Sequence, residues 1–261
     1  MEPASIAFAA LLSGALIGFV LGLVGGGGSI LAVPLLVYFV GVGQPHYAIG
    51  TSALAVTLNA LAGLIGHARQ GNVRWRCALA FALAGMVGAA IGAELGKAFD
   101  GERLVGLFGI LMVIVGLMMM RKRKTAENPE VRLTMQNART MLARILPTGL
   151  AVGLLSGFFG IGGGFLIVPG LIFATAMPIG LAIGTSLFVI TALGATTAVS
   201  YAVSGLLDWG LIMWLVLGGI AGSTLGRWIG TRLASRKRVL EIGFAIMVIA
   251  IGLWVAGQAF L

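Results

Sequence analysis

Eight stretches of this chain are almost wholly apolar, all but the fifth running to 18 residues or more: 5–24, 47–68, 77–98, 103–120, 146–160, 180–203, 210–231 and 239–260. A helix needs about 20 such residues, at 1.5 Å each, to cross the hydrocarbon core of a bilayer. Lipid offers no partner for a bare peptide group, so each crossing segment must satisfy its own backbone as a helix. The chain is therefore expected to be an all-α polytopic membrane protein. Only 10% of its 261 residues are charged, against about 25% in a soluble domain. That leaves almost no material for a separate soluble domain.

Two further apolar stretches, 28–41 and 163–177, are too short to cross. Each spans ~21 Å as a helix, against a core of ~30 Å. Each begins at a run of glycines, which costs a helix interior about 1 kcal/mol per residue relative to alanine. These two are expected to be broken or re-entrant half-helices, tolerated where protein or water surrounds them.

The same text appears twice. Residues 22–34 read GLVGGGGSILAVP and residues 157–169 read GFFGIGGGFLIVP. Ala48-Ile49-Gly50-Thr51-Ser52 matches Ala182-Ile183-Gly184-Thr185-Ser186. Gly71 and Trp75 match Gly205 and Trp209, and Gly85, Gly88, Gly92 and Gly96 match Gly219, Gly222, Gly226 and Gly230. The chain thus divides into a first membrane repeat, 1–120, a basic linker, 121–145, and a second membrane repeat, 146–261.

Charge orients the copies. The linker carries Arg121, Lys122, Arg123, Lys124, Arg132, Arg139 and Arg144 against Glu127 and Glu130, and is read as cytoplasmic. In the first copy the 69–76 loop is basic, with Arg69, Arg74 and Arg76, whereas its equivalent in the second holds Asp208. The balanced 97–103 loop corresponds to one bearing Arg232, Arg236, Lys237 and Arg238. Positive charge has changed places, as inverted-topology repeats of five segments each require. Both termini then lie outside the inner cell membrane, which the chain crosses many times.

The same distribution explains the net charge of +9 without nucleic acid as a partner. The single cysteine, Cys77, excludes an internal disulfide, and no cluster has metal-ligand spacing. Neither a nucleophile–base set nor paired carboxylates are present, so an enzyme is not expected and no cofactor is implied.

The candidate site is the pair of glycine runs: Gly25, Gly26, Gly27, Gly28 and Ser29 in the first copy, Gly160, Gly162, Gly163 and Gly164 in the second. Helix N-termini there would offer free N–H groups and about half a positive charge each, a site for an anion without a buried cation. Close helix packing is the competing use of the same glycines. Thr51, Ser52, Thr185 and Ser186 lie about a turn into their spans, where a hydroxyl either meets a ligand or bonds back to its own helix. Asn59 lies mid-span and needs a partner. Glu94, His67 and Arg227 are ionisable groups within or near the membrane, candidates for coupling or gating. The stripes Gly88, Gly92, Gly96 and Gly222, Gly226, Gly230 suit close helix contact, within one subunit or in a homodimer.

The duplicated glycine-run-to-proline motif, ending at Pro34 and Pro169 and followed by Gly-Thr-Ser, resembles the TauE/SafE or sulfite exporter family. The resemblance runs from about residue 8 to 257. It implies a secondary carrier that exports sulfite, an organosulfonate or a related sulfur oxyanion. It carries the glycine runs, the two prolines and the Gly-Thr-Ser pairs over as functional positions. The copies differ at Gly26 and Ile161, and at Ser29 and Gly164. The alternative is a non-transporting membrane scaffold subunit, which has no need of two half-helix ends.

Overall fold

The computed structural model describes residues 3–24, 26–120, 133–134, 136–160, 164–232 and 237–260, and among them every regular element is a helix. Helix α1 is Pro3–Val24. Three short segments follow, a 3₁₀ helix Gly26–Leu31, a single α turn Ala32–Pro34 and a π-helical Leu35–Val40, together α2. Then come α3 (Pro45–Arg69), α4 (Trp75–Lys97), α5 (Gly101–Met120) and α6 (Ala138–Phe159). The chain ends with α7 (Gly164–Thr175), α8 (Ile179–Val203), α9 (Trp209–Arg232) and α10 (Lys237–Phe260). Eight of these are long and apolar enough to cross a membrane; α2 and α7 are the two shorter apolar helices.

The boundaries follow the apolar stretches closely except at α6. It begins at Ala138, eight residues before the apolar run at 146 and inside the basic stretch. Arg139 and Arg144 are exposed, while Ile145 is fully buried and Met141 half-buried. Apolar side chains at i and i+4 give these first turns an inward face despite their charge. Asn137 helps the start by accepting the Thr134 N–H at 2.8 Å.

The main partner of each long helix lies in the other half of the chain. Helix α1 packs on α9, α6 on α4, α3 on α8 and α5 on α10. Glycines set the register. Gly14, Gly18 and Gly22 of α1 lie against the backbone at Leu215, Gly219 and Ser223, so α1 and α9 run parallel. Gly149, Gly153 and Gly157 of α6 lie likewise against Phe81, Gly85 and Ala89 of α4. Lipid supplies no hydrophobic drive between helices, and close backbone approach gathers the dispersion energy that replaces it. The stripes at Gly88, Gly92, Gly96 and at Gly218, Gly222, Gly226 form the other side of these same two contacts. Their glycine faces are therefore covered within one chain.

The equivalent helices of the two halves run antiparallel where they meet. Gly50 of α3 faces Tyr201 and Leu206 past the end of α8, Gly63 faces Leu187, and Gly184 of α8 faces Asn72. In the other pair Gly109 faces Gly252 and Ala256, and Gly116 faces Ala245 and Ile249. The turns closing α3 and α8 are also alike. Gly71 at φ +72° and Gly205 at φ +70° end the two helices. Their N–H groups reach Ala68 and Ala202, and the next N–H groups reach His67 and Tyr201. This double bond pattern uses a left-handed residue, which glycine adopts without a Cβ penalty.

Charge separates along the bundle. Arg76 donates to the carbonyl of Leu133, which puts the linker residues 133–134 beside the α3–α4 loop. Arg227 lies over Gly66, near the same end of α3. The linker end therefore gathers Arg69, Arg74, Arg76 and Arg227, while at the far end Lys97 and Arg103 stand among Glu94, Asp100, Glu102 and Asp208.

Candidate functional site

The two short helices meet in the interior. The 3₁₀ part of α2 packs against α1, α7 and α8, and α7 packs against α6 and α8. Gly27, Gly28 and Ser29 are buried, as are Ile30 to Pro34. Gly164 opens α7 and is buried too. The first N–H groups of a helix have no partner within it, so the start of α7 directs donors into a protein-lined space. Gly26 begins the 3₁₀ helix. Gly25, Gly162 and Gly163 lie outside the described residues.

Phenylalanines wall the starts of α2 and α7 in matching places. The Phe108 ring of α5 lies 5.8 Å from that of Phe159 and 6.3 Å from that of Phe165. In the other half, the Phe244 ring of α10 covers Gly27. Gly160 turns the chain out of α6 with φ +65°, and a Cβ there would collide with the Ile49 side chain. The glycine has a local reason at this position, whatever its neighbours bind.

The Gly-Thr-Ser motifs hold loops. Thr51 Oγ1 accepts the Asp208 N–H at 3.0 Å, and Thr185 Oγ1 accepts the Arg74 N–H at 3.0 Å. Gly50 and Gly184 leave room for those loops, at Leu206 and Asn72. Ser52 and Ser186 donate to the carbonyls of Ile49 and Ile183, at 2.9 and 2.8 Å. Because α3 and α8 are antiparallel, the motifs sit at opposite ends of the pair. Thr185 is level with Arg74, beyond the end of α3, whereas Thr51 is near its start, roughly 27 Å away at 1.5 Å per residue. The fold does not bring the two motifs to one small anion.

The loop-holding bonds make a testable ranking. Thr51→Val and Thr185→Val keep the side-chain shape but orphan a part-buried N–H, at an expected cost of about 1–3 kcal/mol. Ser52→Ala and Ser186→Ala lose only a bond within one helix and should cost less. Thermal unfolding of the four variants in detergent measures this, and serine variants less stable than threonine variants would contradict the loop-holding role.

Asn59 is almost fully buried, with its amide lying over Gly219 in the position a Cβ would take. Its nitrogen is 3.5 Å from the Leu215 carbonyl. The equivalent notch at Gly85 holds Leu193, so the halves differ in polarity here. Glu94 pairs with Lys97 at 2.8 Å, and Arg227 lies over Gly66, the chain neighbour of His67. The glycine stripe on α1 and α6, at Gly14, Gly18, Gly22 and Gly149, Gly153, Gly157, was an equally legible small-xxx-small pattern. The acceptor role of the threonines, by contrast, had no sequence signal.

Among the described residues no group of three or more His, Cys, Asp or Glu could hold a metal ion. The family model "Sulfite exporter TauE/SafE" matches residues 10–255. The chain belongs to this family. A "Probable membrane transporter protein" of Xylella fastidiosa is 51% identical over 93% of this chain and 92% of its own length. The "Probable membrane transporter protein YunE" of Bacillus subtilis is 30% identical over 90% of this chain and 93% of its own. A relative from Haemophilus influenzae with the same kind of name is 31% identical, covering 93% and 95%. No solved structure matches the chain. TauE/SafE membership, transporter relatives and eight candidate spans make the protein a multi-pass membrane transporter.

Proposed function

We propose that this TauE/SafE protein is a secondary carrier that exports a small sulfur oxyanion, sulfite or an organosulfonate, across the cell membrane. The observation that carries the reading is the meeting of α2 and α7, two short apolar helices that begin at glycine runs and pack together inside the bundle. Helix starts there offer N–H groups and positive potential to a compact anion and repel a cation. The site comprises the backbone at Gly25, Gly26, Gly27, Gly28 and Ser29 with that at Gly160, Gly162, Gly163 and Gly164. In the Gly-Thr-Ser motifs Thr51 and Thr185 take the role of fixing the loops at either mouth, while Ser52 and Ser186 bond within their own helices. Membership of the sulfite exporter family supports the sulfur oxyanion as substrate.

In this reading the halves are inverted-topology repeats, and α2 and α7 are half-helices. The antiparallel pairs α3–α8 and α5–α10 support the inversion. The arginine-rich end is cytoplasmic and both termini are outside, following the charge distribution. In a Cys77→Ala background, Gln70→Cys should react with an impermeant maleimide only from the inside and Asp208→Cys only from the outside. Reaction of both from one side would defeat the inversion.

Sulfite exchange by purified protein in liposomes tests the carrier. Saturable exchange, inhibited by organosulfonates and indifferent to organic cations, is expected. Absence of exchange for every anion tried would favour the scaffold instead.

A further inference from the structure

At the end away from the linker, α4 and α8 finish side by side and are tied by a polar network. Lys97 Nζ lies 2.8 Å from Glu94 Oε1. It also donates to Ser204 Oγ at 2.9 Å and to the Ser200 carbonyl at 3.3 Å. Ser200 Oγ donates to Glu94 Oε1 at 2.8 Å. The ammonium sits 5.9 Å from the centre of the Tyr201 ring, which is fully buried against Gly50 of α3. Two helices thus share one polar network, and the Tyr201 ring beside it rests on a third. Lys97 is only 17% exposed, so the ammonium has exchanged much of its water for these partners.

The other end lacks the device. With the same offset of 134 that aligns the Gly-Thr-Ser motifs, Glu94 and Lys97 correspond to Trp228 and Thr231, and Ser200 and Ser204 to Gly66 and Gln70. No acid–base pair can form from that set. Arg227 lies over Gly66 there instead. Packing differs in the same sense: α4 lies against α8 more extensively than α9 lies against α3. In a carrier whose two ends open alternately, one closed end gives such unequal packing of equivalent helices.

We propose that Glu94 and Lys97, with Ser200 and Ser204, form the latch of a gate at the end away from the linker and hold that gate shut. The inference rests on the carrier reading, in which the two ends open alternately around a central site. The ion pair lies within α4 and holds both side chains in place; parting α4 from α8 requires the Lys97 bonds to Ser200 and Ser204 and the Ser200 bond to Glu94 to break together. A latch whose residues have no counterpart at the other end biases the population toward the state closed at the latched end. Glu94 is well exposed, so replacing it leaves the packed helices intact.

The test uses Ala198→Cys, a buried position on α8 one turn before the Tyr201 level, in the Cys77→Ala background. Reaction with an impermeant maleimide applied from the far side should be slow when Glu94 is present. Glu94→Ala, which removes the acceptor of the Ser200 hydroxyl and the partner that orients Lys97, should raise the rate at least tenfold, and Glu94→Gln, which still accepts from Ser200, should raise it less. Amide exchange over 198–206 should rise and fall in parallel, a second readout that does not depend on the new cysteine. Unchanged reactivity and exchange in Glu94→Ala would overturn the latch. Faster labelling in a protein that carries no sulfite would keep the latch and defeat the carrier; sulfite exchange with unchanged labelling would do the reverse.

Discussion

Gly27→Val is expected to abolish sulfite exchange while leaving the protein inserted and folded. A Cβ on Gly27 would lie 2.8 Å from Cε1 and 2.9 Å from Cζ of Phe244. The far edge of a ring can turn aside, so the clash alone should be survivable. A valine would nevertheless block the glycine-run backbone, and with it close approach of the anion. The companion variant Gly27→Val with Phe244→Ala removes the clash and keeps the obstruction. Exchange per mole of monodisperse protein should stay below about a hundredth of wild type in both, a loss of about 2.7 kcal/mol. Recovery in the double variant would show that Gly27 serves packing against Phe244, and would move the anion site elsewhere.

The second large effect concerns folding. Gly18 and Gly153 sit among the tightest points of the α1–α9 and α6–α4 contacts. A Cβ on Gly18 would fall on the carbonyl and Cα of Gly219, and one on Gly153 on those of Gly85. Backbone cannot turn aside as the Phe244 ring can, so the helices must separate along their length. Gly18→Ala and Gly153→Ala should each lower stability by about 1–3 kcal/mol, the usual cost of overpacking. Leucine at either place should leave no monodisperse protein. Gly243→Ala in α10 is the control: nothing lies within 4 Å of its added Cβ. It should be neutral or stabilise by up to ~1 kcal/mol, the helix propensity difference. Melting temperatures in detergent would rank the three, and equal values at Gly18 and Gly243 would contradict the close-contact account.

These two experiments separate glycines that look alike in the sequence. Gly27 and Gly18 both stand among apolar residues, yet one faces a ring and the other a backbone. Spacing distinguishes them in part. Gly14, Gly18 and Gly22 recur every four residues and lie on one helix face. Gly25 to Gly28 are consecutive, a run that disfavours a helix interior. Periodicity therefore separated helix-contact glycines from helix-breaking ones, but did not identify their neighbours.

The Gly-Thr-Ser motifs show where linear reading stopped. Their repetition suggested two hydroxyl sets around one ligand. The antiparallel packing of α3 on α8 sends the motifs to opposite ends, because each begins about a turn into its own helix. Their threonines then meet the loops of the opposite half, through Asp208 and Arg74. Glu94 was legible as an ionisable group near a membrane span. Its serine partner on α8, Ser200, more than a hundred residues away in the chain, was not.

The sequence by itself determined the helices, their approximate ends and the duplication. Those follow from local physics: apolar length against bilayer thickness, backbone groups that lipid cannot satisfy, and glycine or a reversing turn wherever a helix stops. It also determined which faces could pack closely, since small residues every fourth position form a stripe on any helix. Only the tertiary structure decided which stripe meets which, that each half is packed mainly on the other, and which loop each threonine holds. It decided as well that Asn59 rests on Gly219 and that the end away from the linker carries an ion-paired network. These are contacts between segments distant in the chain. They depend on how whole helices are placed against one another, and a local pattern constrains the shape of a helix face without naming its partner.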